Sequence, residues 1–206
     1  WSVAPALGGL LPRRPRHHRR LERVNESDQR FLRNVARRTW GYFDRFVNEE
    51  TSWLPPDNYQ ISHGERLALR TSPTNIGMWL LSARAAHDFG YLTLDQLVER
   101  LSRTLATVGG LERHAGHLLN WYDLETRAPL APRYVSAVDS GNLLAALWTL
   151  RQGLEESIRG PLLSEAALHG LRDAVEVAVE AADGGPHKLP GAARRLLESP
   201  HLYVLE

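Results

Sequence analysis

Two stretches of this sequence gather side chains of the types that grip a sugar. The first, from about Asn48 to Thr71, carries Trp53, Asp57, Asn58, Tyr59, Gln60, His63 and Arg70. The second, from Leu111 to Val138, carries His117, Asn120, Trp121, Tyr122, Asp123, Arg133 and Tyr134, with Asp139 at its edge. Aromatic rings stack on the axial C–H patches of a pyranose, and planar amides, carboxylates and guanidinium groups pair with its hydroxyls. Glycosyl transfer further needs two carboxylates, about 5 Å apart in a retaining enzyme and wider in an inverting one, with one kept protonated. Asp57, Asp123 and Asp139 are the candidates, and each has a structural alternative. Asp139 stands where a helix cap belongs and would bond the amides of Ser140, Gly141 and Asn142. Asp57 follows Pro55-Pro56, where a turn aspartate bonds its own backbone. Asp123 has the richest aromatic surroundings, which alone do not raise a carboxyl pKa. The spacing assigns neither acid nor base.

The remaining candidates divide in the same way. Arg70 either clamps a substrate group or ties Asp57 or Asp123 into a loop network. Asn75, on the first turn of a helix, points toward the loops or bonds its own backbone. Trp121 and Tyr122 point to opposite sides of an extended segment, so one packs inward and one is left as a sugar platform. The predicted binding set is thus Trp53, Asp57, Asn58, Arg70, Asn75, His117, Asn120, Trp121, Tyr122, Asp123, Arg133 and Asp139. The histidines lack metal-ligand spacing, and His117 is the one connected with sugar binding. No glycine-rich phosphate loop occurs, so no metal, nucleotide or other cofactor is expected.

The chain has 206 residues, 43% hydrophobic and 24% charged, which suits one folded unit. Absence of cysteine removes disulfides and thiol chemistry. The net charge of +1 hides an asymmetry, because six arginines fall between Arg13 and Arg23; without them and Glu22 the body has 19 basic and 23 acidic residues. An acidic body argues against nucleic acid as a partner. The apolar run of residues 1–11 is shorter than the ~20 residues of a membrane span. Arginines directly after it are what the cytoplasmic flank of a membrane helix carries, and also what a solvated leader carries. Residues 1–24 are therefore read as a membrane-proximal stump and leader, and 25–206 as the folded part.

Helical punctuation organises that part. Asn25 and Asp28 resemble a capping box before an amphipathic helix that runs to about Val47. Ser72-Pro73 starts a second helix that ends at Gly90, and Thr93 with Gln96 starts a third that stops at Gly109-Gly110. Asp139 or Ser140 caps a fourth, whose Leu143, Leu144, Leu147, Trp148 and Leu150 predict burial on most sides. Ser164-Glu165 opens a fifth through Leu168, Leu171, Val175 and Val179, reached by a Gly160-Pro161 turn, and a short sixth is predicted from Gly191 to Glu198. Leu118 to Tyr122 and Arg133 to Val135 are predicted to pair as a short ribbon. The connections alternate: short turns follow helices two and four, and long loops precede those same apolar helices. A toroid of helical hairpins has this pattern, with inner helices apolar and long loops gathered at one rim. The class is all-α.

The strings WLPPDNYQ, RTSPTNIG, HDFGYL, GHLLNWYDL and PRYVSAVDSGNLLAAL, in order between about Thr39 and Gly153, resemble the glycoamylase-like domain of cyclic β-1,2-glucan synthases. That resemblance implies an (α/α)6 toroid, of which this chain supplies about six of twelve helices, leaving inner helices without an opposite wall. It implies a bacterial inner-membrane protein with this domain on the cytoplasmic side, a β-glucan substrate, and partnership with the rest of a larger chain and with the membrane. It implies closure or cleavage of the glucan by glycosyl transfer, with acid and base beyond this half. The residues alone leave open a non-catalytic helical carbohydrate-binding or interaction module, in which the polar loops brace the fold.

Overall fold

The computed structural model describes residues 24–61, 64, 66–159 and 165–181. The arginine-rich leader, His63, the Gly160-Pro161 turn, Ser164 and the predicted sixth helix lie outside the described residues.

Helix α1 spans Glu26–Phe46. Asn25 caps it, its Oδ1 accepting the Asp28 amide at 2.9 Å, while the Asp28 carboxylate takes the Asn25 side-chain amide rather than the backbone N–H of a full box. Helix α2, Pro73–Asp88, begins with Pro73 at its first position and the Ser72 side chain accepting from the Asn75 amide at 3.2 Å. Helix α3, Leu94–Gly109, has both halves of the Thr93–Gln96 capping box. Helix α4 spans Ala137–Arg159 and α5 spans Glu165–Ala181.

The start of α4 differs from expectation. Ser136 does the capping, its Oγ accepting the Asp139 amide at 3.1 Å, and Asp139 lies inside the first turn with its carboxylate turned away to Thr74. Burial differs too. Ala146 and Leu150 are buried, whereas Trp148 is 70% exposed and Val138 and Leu144 are also exposed. Helix α4 packs one side against α2, where a Cβ at Gly77 would lie 3.0 Å from Ala146 Cβ, a close approach that only small residues allow. Its other apolar side has no helix over it among the described residues.

The core is built on α2: Ile76, Trp79, Leu80, Ala83 and Ala86 are buried, and Trp79 stacks on Trp40 of α1 at 5.7 Å. Helix α5 docks through an unexpected face. Leu168 and Leu171 are exposed, and Gly170, Arg172 and Asp173 are buried. The cause is a backbone crossing, since a Cβ at Gly170 would lie 2.1 Å from the Gly90 carbonyl oxygen. Beside it, Arg33 of α1 and the Tyr91 hydroxyl both bond Asp173.

Among the described residues the long loops fold into six two-residue strands: β1 (Tyr59–Gln60), β2 (Arg66–Leu67), β3 (Arg70–Thr71), β4 (Arg113–His114), β5 (His117–Leu118) and β6 (Tyr122–Asp123). β1 pairs with β2 and β4 with β5, each antiparallel. The third pair, β3 with β6, sets Arg70 opposite Asp123 and Thr71 opposite Tyr122, and so stitches one long loop to the other. The predicted ribbon is replaced by this pairing. Between its two segments one backbone bond forms, Asn120 N–H to the Tyr134 carbonyl at 2.9 Å. The stitched loops lie at the N-terminal end of α2, which β3 enters directly.

Candidate functional site

The first turn of α2 has no acidic residue of its own. Its amide end therefore carries partial positive charge with no local counter-charge, a setting that favours carboxylates brought from elsewhere. Two arrive there. Asn75 donates to Asp57 Oδ1 at 3.2 Å, and its neighbour Thr74 donates to Asp139 Oδ1. Consecutive residues of one helix turn thus hold carboxylates from two different segments.

Asp57 is held from three sides. Arg70 places Nε at 3.1 Å and a terminal nitrogen at 2.9 Å from Oδ2, and the adjacent Asn58 amide donates to the same oxygen at 3.1 Å. The Asp57 side chain is mostly buried while Arg70 is half exposed, so the pair sits at the edge of the protein. Close by, burial raises the pKa of the Tyr42 phenol, with a further upward push from the Asp57 charge, and its hydroxyl donates to the Pro56 carbonyl at 2.9 Å. Asn58 Oδ1 is buried with no hydrogen-bond partner among the described residues.

The second carboxylate belongs to a polar chain through the other loop. Asn142, one turn along α4, donates to the Thr74 hydroxyl at 3.1 Å. The Asn120 amide, 5% exposed, lies within bonding distance of Asp139 Oδ2 at 3.2 Å, the Tyr134 hydroxyl at 2.7 Å and Trp121 Nε1 at 2.6 Å. The Trp121 ring in turn lies under the Arg70 guanidinium, 4.6 Å from centroid to carbon. Arg70 and Trp121 join the two halves of the cluster, Asp57 and Asn75 on one side, Asp139 and Asn120 on the other.

Other predicted residues lie elsewhere or serve the fold. Tyr122 is fully buried, its hydroxyl accepting from the Leu119 amide and donating to the Glu112 carbonyl, both at 2.7 Å, so it is a loop brace and not a sugar contact. Of the alternating pair, Trp121 is the one left facing outward. Asp123 Oδ1 closes an Asx-type turn, accepting from the amides of Thr126 and Glu125 and from the Thr126 hydroxyl. Those bonds, the Thr126 amide first, hold its carboxyl below the usual carboxylate range, which is wrong for a proton donor. Trp53 lies under Arg103 of α3, with its carbonyl bonded by Thr104. His117 is exposed on the β4–β5 hairpin, whose turn residues Ala115 and Gly116 have positive φ. Arg133 pairs with Glu112, and both line a cleft of about 340 Å³ with His114, Leu119 and Tyr134. Among the described residues no three His, Asp or Glu side chains gather as metal ligands.

Thr74, Asn142 and the bond from the Tyr134 hydroxyl to Asn120 escaped the sequence reading. Thr74 adjoins Asn75 and Asn142 follows Asp139 by three positions, so helical spacing pointed to both once their neighbours were chosen.

No family model matches the chain. It is 38% identical over 201 residues to the cyclic β-(1,2)-glucan synthase NdvB of Rhizobium meliloti strain 1021, covering 96% of this chain and 7% of that protein. The chain therefore spans a small part of that relative's length. The structure matches that of a glucoamylase candidate from Bacteroides caccae ATCC 43185 with a TM-score of 0.55 at 21% identity, over 77% of this chain and 40% of the other. A second, from Bacteroides fragilis NCTC 9343, matches with a TM-score of 0.50 at 16% identity, over 65% and 36%. The resemblance carried by the five strings holds, and the fold is part of a glucoamylase-like helical toroid. Among the described residues no helix is long and apolar enough to cross a membrane.

Proposed function

We propose that this chain is the N-terminal part of a glycoamylase-like domain in a membrane protein akin to cyclic β-1,2-glucan synthases, and that it holds half of the site that grips the glucan chain. The arrangement that carries the reading is the recruitment of Asp57 and Asp139 to the successive residues Asn75 and Thr74, with Trp121 and Arg70 between them. The similarity to a cyclic β-glucan synthase supports glucan as the ligand. Asp57 is surrounded by donors alone and acts as an acceptor for sugar hydroxyls. The acid and base of glycosyl transfer, whether by cyclisation or cleavage, then come from the part of the domain outside this chain. By itself the chain binds without turnover.

A purely binding module is favoured by one observation: Asp123, the carboxylate with the richest aromatic setting, is consumed by its own turn. Titration with linear β-1,2-gluco-oligosaccharides separates the readings when tryptophan fluorescence and product analysis are followed in the same samples. Binding that is lost in Arg70→Ala, with no product, is the expected result. It supports a sugar half-site here, and joining the chain to the downstream part of such a domain then separates transferase from module by whether turnover appears. Turnover by the isolated chain overturns the division proposed here, and no binding by folded chain overturns the sugar site.

A further inference from the structure

Asn120 is buried, 5% exposed, and its amide touches three polar groups, so the direction of each hydrogen bond matters. An indole N–H is a donor and never an acceptor. Trp121 Nε1, 2.6 Å from the amide, therefore requires the amide oxygen to face it. The Tyr134 hydroxyl, 2.7 Å from the same atom, then donates as well, and the amide nitrogen is left to donate to Asp139 Oδ2 at 3.2 Å. At the other carboxylate oxygen, Asn142 fills an acceptor position of the Thr74 hydroxyl, whose proton goes to Asp139 Oδ1. Both oxygens of Asp139 thus receive hydrogen bonds.

From this we infer that Trp121 is a positioning residue: its indole N–H sets the polarity of Asn120 and thereby presents Asp139 as a hydrogen-bond acceptor to the ligand. This deepens the proposed sugar site and rests on it only for the identity of the ligand, because the polarity argument needs no sugar. The role differs from that of a stacking platform. One face of the Trp121 ring is already covered by the Arg70 guanidinium at 4.6 Å, and the ring's edge, not its face, reaches the carboxylate network. Tyr134 cannot replace it. A hydroxyl accepts as readily as it donates, so with the indole gone the amide is free to turn over, and a turned amide points its oxygen at Asp139. Two acceptors then face each other across a buried contact, and Asp139 must move to relieve it.

Trp121→Phe tests this, since phenylalanine keeps an aromatic face for Arg70 and loses the N–H. Two measurements are made on the whole chain, with Trp121→Ala and Asp139→Asn beside it. In the sugar-free protein, NMR follows the indole N–H of Trp121 and the side-chain amide of Asn120. The expected result is a slowly exchanging indole N–H, an Asn120 amide signal that shifts in Asp139→Asn, and a doubled or averaged Asn120 signal in Trp121→Phe. An indole exchanging as fast as an exposed one, or an Asn120 amide unaffected by Trp121→Phe, overturns the inference. The second measurement is the affinity for linear β-1,2-gluco-oligosaccharides. A positioning role makes Trp121→Phe nearly as damaging as Trp121→Ala, at least tenfold weaker than the parent chain, whereas a platform role spares it. If the amide behaves as expected but no oligosaccharide binds, the sugar reading fails while the polarity stands; if sugar binds and Trp121→Phe binds like the parent, the polarity inference fails alone.

Discussion

Thr104→Val is the perturbation whose cost follows most directly from the structure. The Thr104 hydroxyl, fully buried, accepts from the indole N–H of Trp79 at 2.9 Å and donates to the Trp53 carbonyl at 2.8 Å. Valine fills the same volume, so packing around α3 is kept and the hydroxyl alone is lost. The buried indole N–H and the half-buried carbonyl lose their partner, at about 1–3 kcal/mol for a fully buried group. The carbonyl end recovers part of this, because Ser52 and Trp53 are both held at positive φ, 54° and 61°. Left-handed backbone costs roughly 1–2 kcal/mol per non-glycine residue, and a released turn relaxes out of it. The expected net loss is about 2–4 kcal/mol, below the 5–15 kcal/mol of a typical domain, so the variant folds. Chemical denaturation followed by tryptophan emission reads the loss as a lower midpoint at unchanged slope. Thr107→Val is the comparison: its hydroxyl donates to the Ser52 carbonyl at 2.8 Å but serves no indole, and its loss costs about 1 kcal/mol. Because the buried Leu54, Pro55 and Pro56 run from this turn straight to Asp57, Thr104→Val also weakens oligosaccharide binding more than Thr107→Val does. A loss below about 1 kcal/mol for Thr104→Val, or equal losses for the two variants, refutes the reasoning.

Gly90→Ala undocks α5, because the new Cβ would sit 1.8 Å from the Ala166 carbonyl oxygen at a φ of +79°. Hydrogen exchange in residues 165–181 should rise to that of a frayed helix, while Gly41→Ala, with open space around its Cβ, should stabilise α1 by roughly 0.5–1 kcal/mol. The same helix should loosen in acid. Burial, with a smaller push from Arg33, lowers the His169 pKa from 6.5, and hydrogen bonds from Arg38 and Asn34 lower that of Glu180 from 4.5. Both groups bind more protons unfolded than folded, so their contribution is present at neutral pH and lost as pH falls, His169 first below about 6.5. Exchange in α5, corrected for its intrinsic rate, should therefore be faster at pH 5 than at pH 7, and equal rates would exclude this linkage. Asp139→Asn keeps the shape of the carboxylate but turns an NH2 toward a donor, Asn120 or Thr74, so calorimetry should show gluco-oligosaccharide affinity reduced at least tenfold together with a lowered melting temperature. Trp148→Ser, on the uncovered side of α4, should leave the melting temperature within a degree or two and reduce self-association in light scattering.

The helices were legible because their ends are written locally. Asn25, Ser72-Pro73 and the Thr93–Gln96 box each fix a terminus with side chains within four residues of it. The faces were less legible where tertiary contact chose them. The apolar period of α5 runs through Leu168 and Leu171, yet both are exposed because the Gly90–Gly170 crossing turns α5 by its glycine face, and a glycine carries no signal for the backbone that approaches it. The start of α4 was misplaced because Ser136 and Asp139 are both good caps, and what decides between them is Thr74, more than sixty residues away in sequence. The loops gave the right residue types but not their pairing. Alternation in an extended segment sends one of Trp121 and Tyr122 inward, and only the β3–β6 register, with Thr71 opposite Tyr122, says which.

That register also explains why the cluster forms at the start of α2 and nowhere else. Strand β3 ends one residue before the Ser72 cap, so whatever pairs with β3 is delivered to the first turn of α2. Strand β6 does so, bringing Asn120 and Trp121 immediately ahead of it to the side on which Arg70 already stands. The helix end supplies partial positive charge, the short ladder supplies the donors, and Asp57 and Asp139 are the carboxylates that this field collects. A site made by collecting carboxylates with donors is suited to holding sugar hydroxyls, because the carboxylate lone pairs left over point outward as acceptors. The side of α4 left bare, with Val138, Leu144 and Trp148 exposed, has the apolar surface that an opposing wall of a toroid would cover. On the proposed reading, that wall is where the proton donor stands. Supplying it as a longer chain should then bury Trp148 and start turnover in one step, and a longer chain that turns over with Trp148 still quenchable by iodide would separate the two.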